Sequence, residues 1–254
     1  MEYIIVDQPR PFVMTIRLNR DKALNALNIA LLVEVADAIR EAEANDEIRC
    51  VVLTGSERAF SAGADIKEML QEGIPMWAQK DRLQSWKTIG NFRKPLIAAV
   101  NGWALGGGHD LLLLCDIVIV GENAKIGVPE VKLAAFAGDG GTQRCTRIIG
   151  RTRTMYMHLT GEPIDAKTAC AWGLAVEVTP VANTVERAIE IAATIAKWSP
   201  IATQMIKEEI RMNEKMPLDE SLSLERKLLL WQTEDHDEGI AAFMEKREPH
   251  FTGR

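Results

Sequence analysis

Lys94-Pro95-Leu96-Ile97-Ala98-Ala99-Val100-Asn101-Gly102-Trp103-Ala104-Leu105-Gly106-Gly107-Gly108 places a short apolar run, Leu96 to Val100, before an Asn-Gly turn and then a glycine triplet. An apolar run of this length bounded by turn residues reads as a strand. After the triplet, an apolar helix over Asp110 to Leu114 runs into Cys115 to Val120, a fully apolar stretch of the kind buried on both faces of a sheet. Strand, glycine turn, helix and strand in succession predict an α/β fold.

The same alternation holds on the N-terminal side. Tyr3 to Val6 and Val13 to Leu18 read as strands, Asn28 to Asn45 as an amphipathic helix and Arg49 to Leu53 as a strand. Asn28 is the expected helix cap, and Leu31, Leu32, Val35, Ala36 and Ile39 form its buried stripe. A loop over Thr54 to Asp65 and a helical region through Asn91 complete the cycle. Beyond Gly140 the pattern is mainly helical, near Thr142 to Ile149, Thr184 to Lys197, Ile201 to Asn213, Leu218 to Trp231 and Asp235 to Lys246, with one more strand at Ala175 to Val178. An α/β core over residues 1–195 and a closely packed helical region over 196–254 are expected.

Composition narrows the classes. The formal net charge of -6 argues against general nucleic-acid binding, which draws its affinity from Lys and Arg neutralising phosphates. The N-terminus lacks the basic-then-apolar order of a secretion signal, and no run approaches the ~20 apolar residues of a membrane span. Cys50, Cys115, Cys145 and Cys170 lack the close spacing of a zinc or redox pair and read as reduced thiols. The four histidines form no sequence-local metal site. A cytoplasmic protein without nucleic-acid or membrane partners, and without a metal, is the expectation.

Three glycine-bearing turns stand out: Ser61-Ala62-Gly63-Ala64-Asp65, Gly106-Gly107-Gly108 and Gly138-Asp139-Gly140-Gly141. Such turns are often purely structural. Where one opens a helix, however, outward N–H groups beside the positive end of the helix dipole suit a developing negative charge on oxygen. The triplet fits no dinucleotide fingerprint, because Leu111 takes the third glycine position, and it has no Gly-Lys-Ser/Thr ending.

Phe60-Ser61-Ala62-Gly63-Ala64-Asp65-Ile66, followed by the quoted run from Lys94 to Gly108, resembles the signature of the crotonase (enoyl-CoA hydratase/isomerase) superfamily. The likeness continues through Cys115-Asp116-Ile117, Gly127-Val128-Pro129-Glu130, Gly141-Thr142-Gln143-Arg144 and the ending Glu238-Gly239-Ile240 to Glu245-Lys246-Arg247. It implies a spiral of ββα units with a helical C-terminal region that builds homotrimers, commonly paired into hexamers. It also implies an acyl-CoA substrate and no cofactor beyond the coenzyme A that the substrate carries. By this resemblance the amides of Ala64 and Gly107 bind the thioester oxygen. Lys22, Ala23, Leu24, Ala62, Asp65 and Ile66 line the CoA path, and Phe243 and Lys246 approach CoA, sometimes from a neighbouring subunit. Gly106, Pro129, Phe136 and Asp139 are expected around the substrate.

Hydratases of this superfamily use two glutamates, one after the glycine triplet and one in the Pro-Glu pair. Glu130 keeps the second, whereas Asp110 is one methylene shorter than the first. Hydration needs a base for water, an acid for the α-carbon and a polarised carbonyl, so Glu130 is assigned as principal acid/base and Asp110 as the water-orienting partner. The rival reaction is enoyl-CoA or dienoyl-CoA isomerisation. Dienoyl-CoA isomerases resemble this chain in their aspartate at position 110, although their further catalytic aspartate aligns with Gly138, one place before Asp139. Asp139 also reads as a helix cap or first-turn acid. Ala134 and Ala137 stand where hydratases more usually have Gly and Pro, which predicts an altered acyl pocket. His109 adjoins Asp110, but sequence neighbours do not share a helix face. A third alternative is a CoA-binding or interaction protein whose catalytic pair has decayed.

Overall fold

The computed structural model describes the chain apart from residues 74, 215, 224 and 226. Its first strands, β1 (Ile4–Arg10) and β2 (Phe12–Leu18), form an antiparallel pair. There follow α1 (Ile29–Ala44), β3 (Ile48–Thr54), β4 (Ala59–Ser61), α2 (Ile66–Glu72), α3 (Pro75–Ala78) and α4 (Lys80–Gly90). The next turns bring β5 (Leu96–Val100), β6 (Trp103–Leu105), α5 (Gly107–Leu112), β7 (Ile117–Gly121) and β8 (Lys125–Gly127). Then come α6 (Gly141–Ile149), α7 (Arg151–Thr160), β9 (Ile164–Asp165), α8 (Ala166–Trp172), β10 (Glu177–Thr179) and α9 (Thr184–Ala196). The last helices are α10 (Pro200–Asn213), α11 (Leu218–Ser223), α12 (Lys227–Leu230) and α13 (Glu234–Glu245).

The strands form two sheets, one in the order β1-β2-β3-β5-β7-β10 and the other in the order β4-β6-β8-β9. The pairs β3/β4, β5/β6 and β7/β8 each give one strand to either sheet before the chain turns into helix, which winds ββα units into a spiral. Parallel pairing from β2 to β10 leaves the larger sheet covered on both faces. Alternation along β3 and β5 decides which residue faces which layer. Val51, Leu53, Leu96, Ala98 and Val100 join the core under α1, whereas Cys50, Val52, Ile97 and Ala99 pack with Ala188, Ala192 and Ala196 of α9.

The expected strand over Leu96 to Val100 and the Asn28-capped helix are present, and the Asn28 side chain accepts the Leu31 amide at 3.0 Å. Several boundaries differ. The helix expected over Asp110 to Leu114 begins at Gly107 and ends at Leu112, and the following strand starts at Ile117 rather than Cys115. Asp116 leaves the strand because its carboxylate accepts the Leu96 amide at 2.8 Å and pairs with Lys207 Nζ at 2.6 Å. The loop over Thr54 to Asp65 contains β4, and β6, β8 and β9 are also strands too short to carry a periodic signal. Helix α7 lacks an apolar stripe, since only Thr154 and Met157 are buried, and so it left no pattern to read. The helix expected over Leu218 to Trp231 is present as α11 and α12, with residues 224 and 226 of that span outside the described set.

Lys207, buried on α10, also donates to the Lys94 carbonyl at 2.7 Å, tying that helix to the entry of β5. Among the described residues, no helix is long and apolar enough to cross a membrane.

Candidate active site

A strap from Arg20 to Leu27 holds the first glycine bend in place. Asn25, fully buried with φ 54, accepts the Arg20 amide at 2.9 Å and donates from Nδ2 to the Ala59 carbonyl at 2.9 Å. Ser61 Oγ donates to the Asn25 carbonyl at 2.8 Å, and the Ala62 amide donates to the Leu24 carbonyl at 2.9 Å. The Leu27 amide then donates to Gly63 at 2.7 Å. Lys22, Ala23 and Leu24 therefore run beside Ala62, with Lys22 and Ala23 exposed. Asp65 caps α2 through the amides of Lys67 and Glu68 and pairs with Arg20 at 2.9 Å, so its carboxylate is already committed to holding the bend. Ile66, next in the chain, is 49% exposed. Arg20 and Asn25 escaped the sequence reading, although an Asn beside a tight turn is a recognised left-handed signal.

The second bend approaches the first at backbone distance. A side-chain carbon added to Gly107 would sit 3.5 Å from the Ala64 amide nitrogen, and one added to Gly63 would sit 3.4 Å from the Gly107 amide nitrogen. Among the described residues neither amide donates a hydrogen bond. Gly107 opens α5, where an N–H has no partner within the helix. Two unspent donors from separate bends thus lie side by side.

Glu130 stands against this pair. It lies with Pro129 at the start of a short 3-10 turn, Pro129–Leu133, and Pro at the first position suits a helix start. Its Oε1 is 2.8 Å from where a Gly106 side chain would begin; with φ 52 as well, position 106 has room only for glycine. Oε2 is buried and has no hydrogen-bond partner among the described residues. Burial raises the proton affinity of Glu130 above the ordinary carboxylate range, and the Asp110 and Asp139 charges add to the effect.

Asp110, 1% exposed, is held on every side. Its Oδ2 accepts the Asp139 amide at 3.2 Å, and its Oδ1 lies 1.9 Å from where a side chain on Gly141 would begin, so position 141 must also be glycine. His109 Nδ1 is 3.4 Å from Asp110 Oδ1. The expectation that these sequence neighbours point apart is therefore overturned: on so short a helix, both side chains are turned into one buried corner against α6.

The cap reading of Asp139 is also overturned. Gly140 occupies the N-cap position of α6 without a side-chain bond, because the Asp139 carboxylate turns instead to the buried guanidinium of Arg82 on α4. Burial raises the Asp139 proton affinity, with Arg82 opposing the shift. Arg82 carried no sequence signal; it sits 57 positions away on a helix with few apolar residues. Ala134 adopts the left-handed φ of 54, a conformation in which a glycine is unstrained. Phe136 is 77% exposed. Phe243 and Lys246 stand on and just after α13, 80% exposed in the case of Phe243, and among the described residues no hydrogen bond or ion pair joins them to the glycine bends.

A ββα spiral that sets two free amides beside a buried carboxylate defines the class of crotonase-fold enzymes. The enoyl-CoA hydratase/isomerase family model matches residues 10–254, and the chain belongs to that family. It is 44% identical to the 2,3-dehydroadipyl-CoA hydratase of Escherichia coli K12, covering 100% of this chain and 99% of that protein. It is 42% identical to the mitochondrial enoyl-CoA hydratase of Pongo abelii, over 98% of this chain and 88% of the relative. Among solved structures, an enoyl-CoA hydratase from Geobacillus kaustophilus superposes with a TM-score of 0.94 at 38% identity, covering 99% of this chain and 98% of the other. One from Bacillus anthracis gives a TM-score of 0.92, also at 38% identity, covering 99% and 100%.

Proposed function

We propose that the chain is an enoyl-CoA hydratase, adding water reversibly to a trans-2-enoyl-CoA to give a 3-hydroxyacyl-CoA. The observation that carries this reading is the buried Glu130 Oε2 packed at Gly106, next to two amides, with neither the oxygen nor the amides hydrogen-bonded among the described residues. A substrate carbonyl between Ala64 and Gly107 would satisfy both donors, and they would bind it more strongly as it gains charge. Water adds its oxygen to C3, and the C2=C3 electron pair moves toward the thioester oxygen. Glu130 takes the proton from that water and returns a proton to C2. Asp110 orients the water. A raised proton affinity suits Glu130 to a group that must both accept and donate.

The strap and first bend, with Lys22, Ala23, Leu24, Ala62, Asp65 and Ile66, form the CoA path, and Gly106, Pro129, Phe136 and Asp139 lie on the acyl side. No cofactor is required beyond the CoA of the substrate. The helical region over 196–254 completes a homotrimer or hexamer of a cytoplasmic enzyme, with Phe243 and Lys246 meeting CoA across the subunit boundary. Exposed Trp231, Ile240, Phe243 and Met244 support that assignment.

The hydratase names of relatives at 42 to 44% identity favour water addition over isomerisation. The test is to incubate the purified protein in D2O with trans-2-enoyl-CoAs and with 3-enoyl and dienoyl isomers. A C3 hydroxyl with one deuterium at C2 is expected from the trans-2-enoyl substrates. Double-bond migration without a hydroxyl would overturn the assignment, and binding of CoA without turnover would identify a decayed enzyme.

A further inference from the structure

Behind the reacting carboxylates lies a buried polar cluster that the hydration chemistry does not by itself require. His109 is fully buried, and the Asp110 charge beside it sits in a region already holding Glu130 and Asp139. Resting on the hydratase reading, we propose that His109 is a positioning residue: a buried imidazolium that anchors the Asp110 carboxylate and offsets the negative charge gathered around Glu130.

The packing of His109 against a buried carboxylate fits a ring that carries a proton on Nδ1 and a positive charge. Nδ1 faces a carboxylate oxygen at 3.4 Å, an acceptor only, so it must be N–H. The neighbouring ring, His158 on α7, has Nδ1 at 3.0 Å from the Thr154 carbonyl, so that nitrogen is also N–H. Burial lowers the His158 proton affinity, which keeps the ring neutral and leaves its Nε2 as a bare lone pair. The His109 and His158 rings meet edge to face with centroids 6.1 Å apart, and among the described residues neither buried Nε2 has a hydrogen-bond partner. With no acceptor at His109 Nε2 among these residues, a second proton on the ring is held by the Asp110 carboxylate packed against it in the same buried corner.

The groups surrounding the ring agree. Asp110 faces it from α5, Glu130 acts on it from the 3-10 turn, Cys145 lies beside it on α6, and His158 abuts it from α7. Burial by itself pulls the ring toward neutrality, but Asp110 and Cys145 outweigh that and raise His109 to about 9. The imidazolium in turn lowers the proton affinity of Glu130, against the burial that raises it. A shortened carboxylate thus comes with a compensating cation, which fixes Asp110 in place and limits how far burial and the neighbouring carboxylates raise Glu130.

Two measurements on the full chain test this. In 15N-histidine NMR of the wild type, the His109 ring is expected to be doubly protonated at pH 7 and to titrate near pH 9; a neutral ring at pH 7 overturns the proposal. In kcat/KM profiles for enoyl-CoA hydration, His109→Gln is expected to lose the alkaline limb near pH 9 and to move the acidic limb up by about one unit, as Glu130 loses a neighbouring cation. The fall should appear in kcat more than in KM. Limbs that stay where they were, in a folded variant, overturn it equally. The NMR experiment needs no turnover, so a failure of the hydratase reading appears separately, as wild-type protein that adds no water.

Discussion

Glu130 and Asp110 are carboxylates of one site, yet their surroundings are opposite in kind. On the Glu130 side, among the described residues, one oxygen meets no donor and the adjacent amides are unspent. On the Asp110 side, one oxygen is bonded to the Asp139 amide and the other is wedged between Gly141 and His109. The front carboxylate is left unsatisfied for a substrate to complete, whereas the Asp110 carboxylate is engaged within the chain, although the buried Nε2 atoms of His109 and His158 behind it have no partner among the described residues. An unpaired buried oxygen costs about 1 to 3 kcal/mol, so leaving one on Glu130 and none on Asp110 favours the Glu130 side as the place where a ligand belongs.

If the back is a rigid support, breaking it should damage stability before chemistry. Arg82→Met leaves the buried Asp139 carboxylate without its guanidinium, and a loss of about 3 kcal/mol in urea unfolding at neutral pH is expected. The sign with pH follows from the raised Asp139 proton affinity: a carboxyl raised in the folded state is stabilising below its unfolded pKa and loses that contribution as pH rises through the folded value. The deficit of the variant should therefore shrink as the solution is acidified. A deficit independent of pH would remove Asp139 from the explanation.

A smaller effect probes the front. Ala134 closes the turn that carries Glu130 and holds a left-handed φ of 54, which strains an alanine. Ala134→Gly is expected to raise stability by about 1 kcal/mol, read as an increase in the urea midpoint at constant slope. No change would mean that the turn carries no such strain.

The contrast also explains what the sequence could reveal. Strands such as Leu96 to Val100 and the capped helix after Asn28 are legible because apolar period and capping chemistry are local. The glycine bends are legible because a long motif surrounds them, and Glu130 because it follows Pro129. The back of the site is not local. Arg82 meets Asp139 from a helix with few apolar residues, and Asn25 works through backbone partners as far away as Ala59. His109 and Asp110 converge because a one-and-a-half-turn helix is packed on all sides, a fact about its neighbours rather than its own periodicity. The short strands of the second sheet and the stripe-free α7 were unreadable for a related reason: their burial is supplied by the spiral around them.

The proposed proton shuttle is the Glu130 oxygen that has no partner among the described residues. It is tested most directly by comparing wild type with Glu130→Gln, which keeps size and polarity but cannot exchange a proton at neutral pH. Hydration of a trans-2-enoyl-CoA should fall by about a thousandfold in kcat while the Kd for the substrate stays within a few fold. Hydration at an undiminished rate in the folded variant would contradict the account.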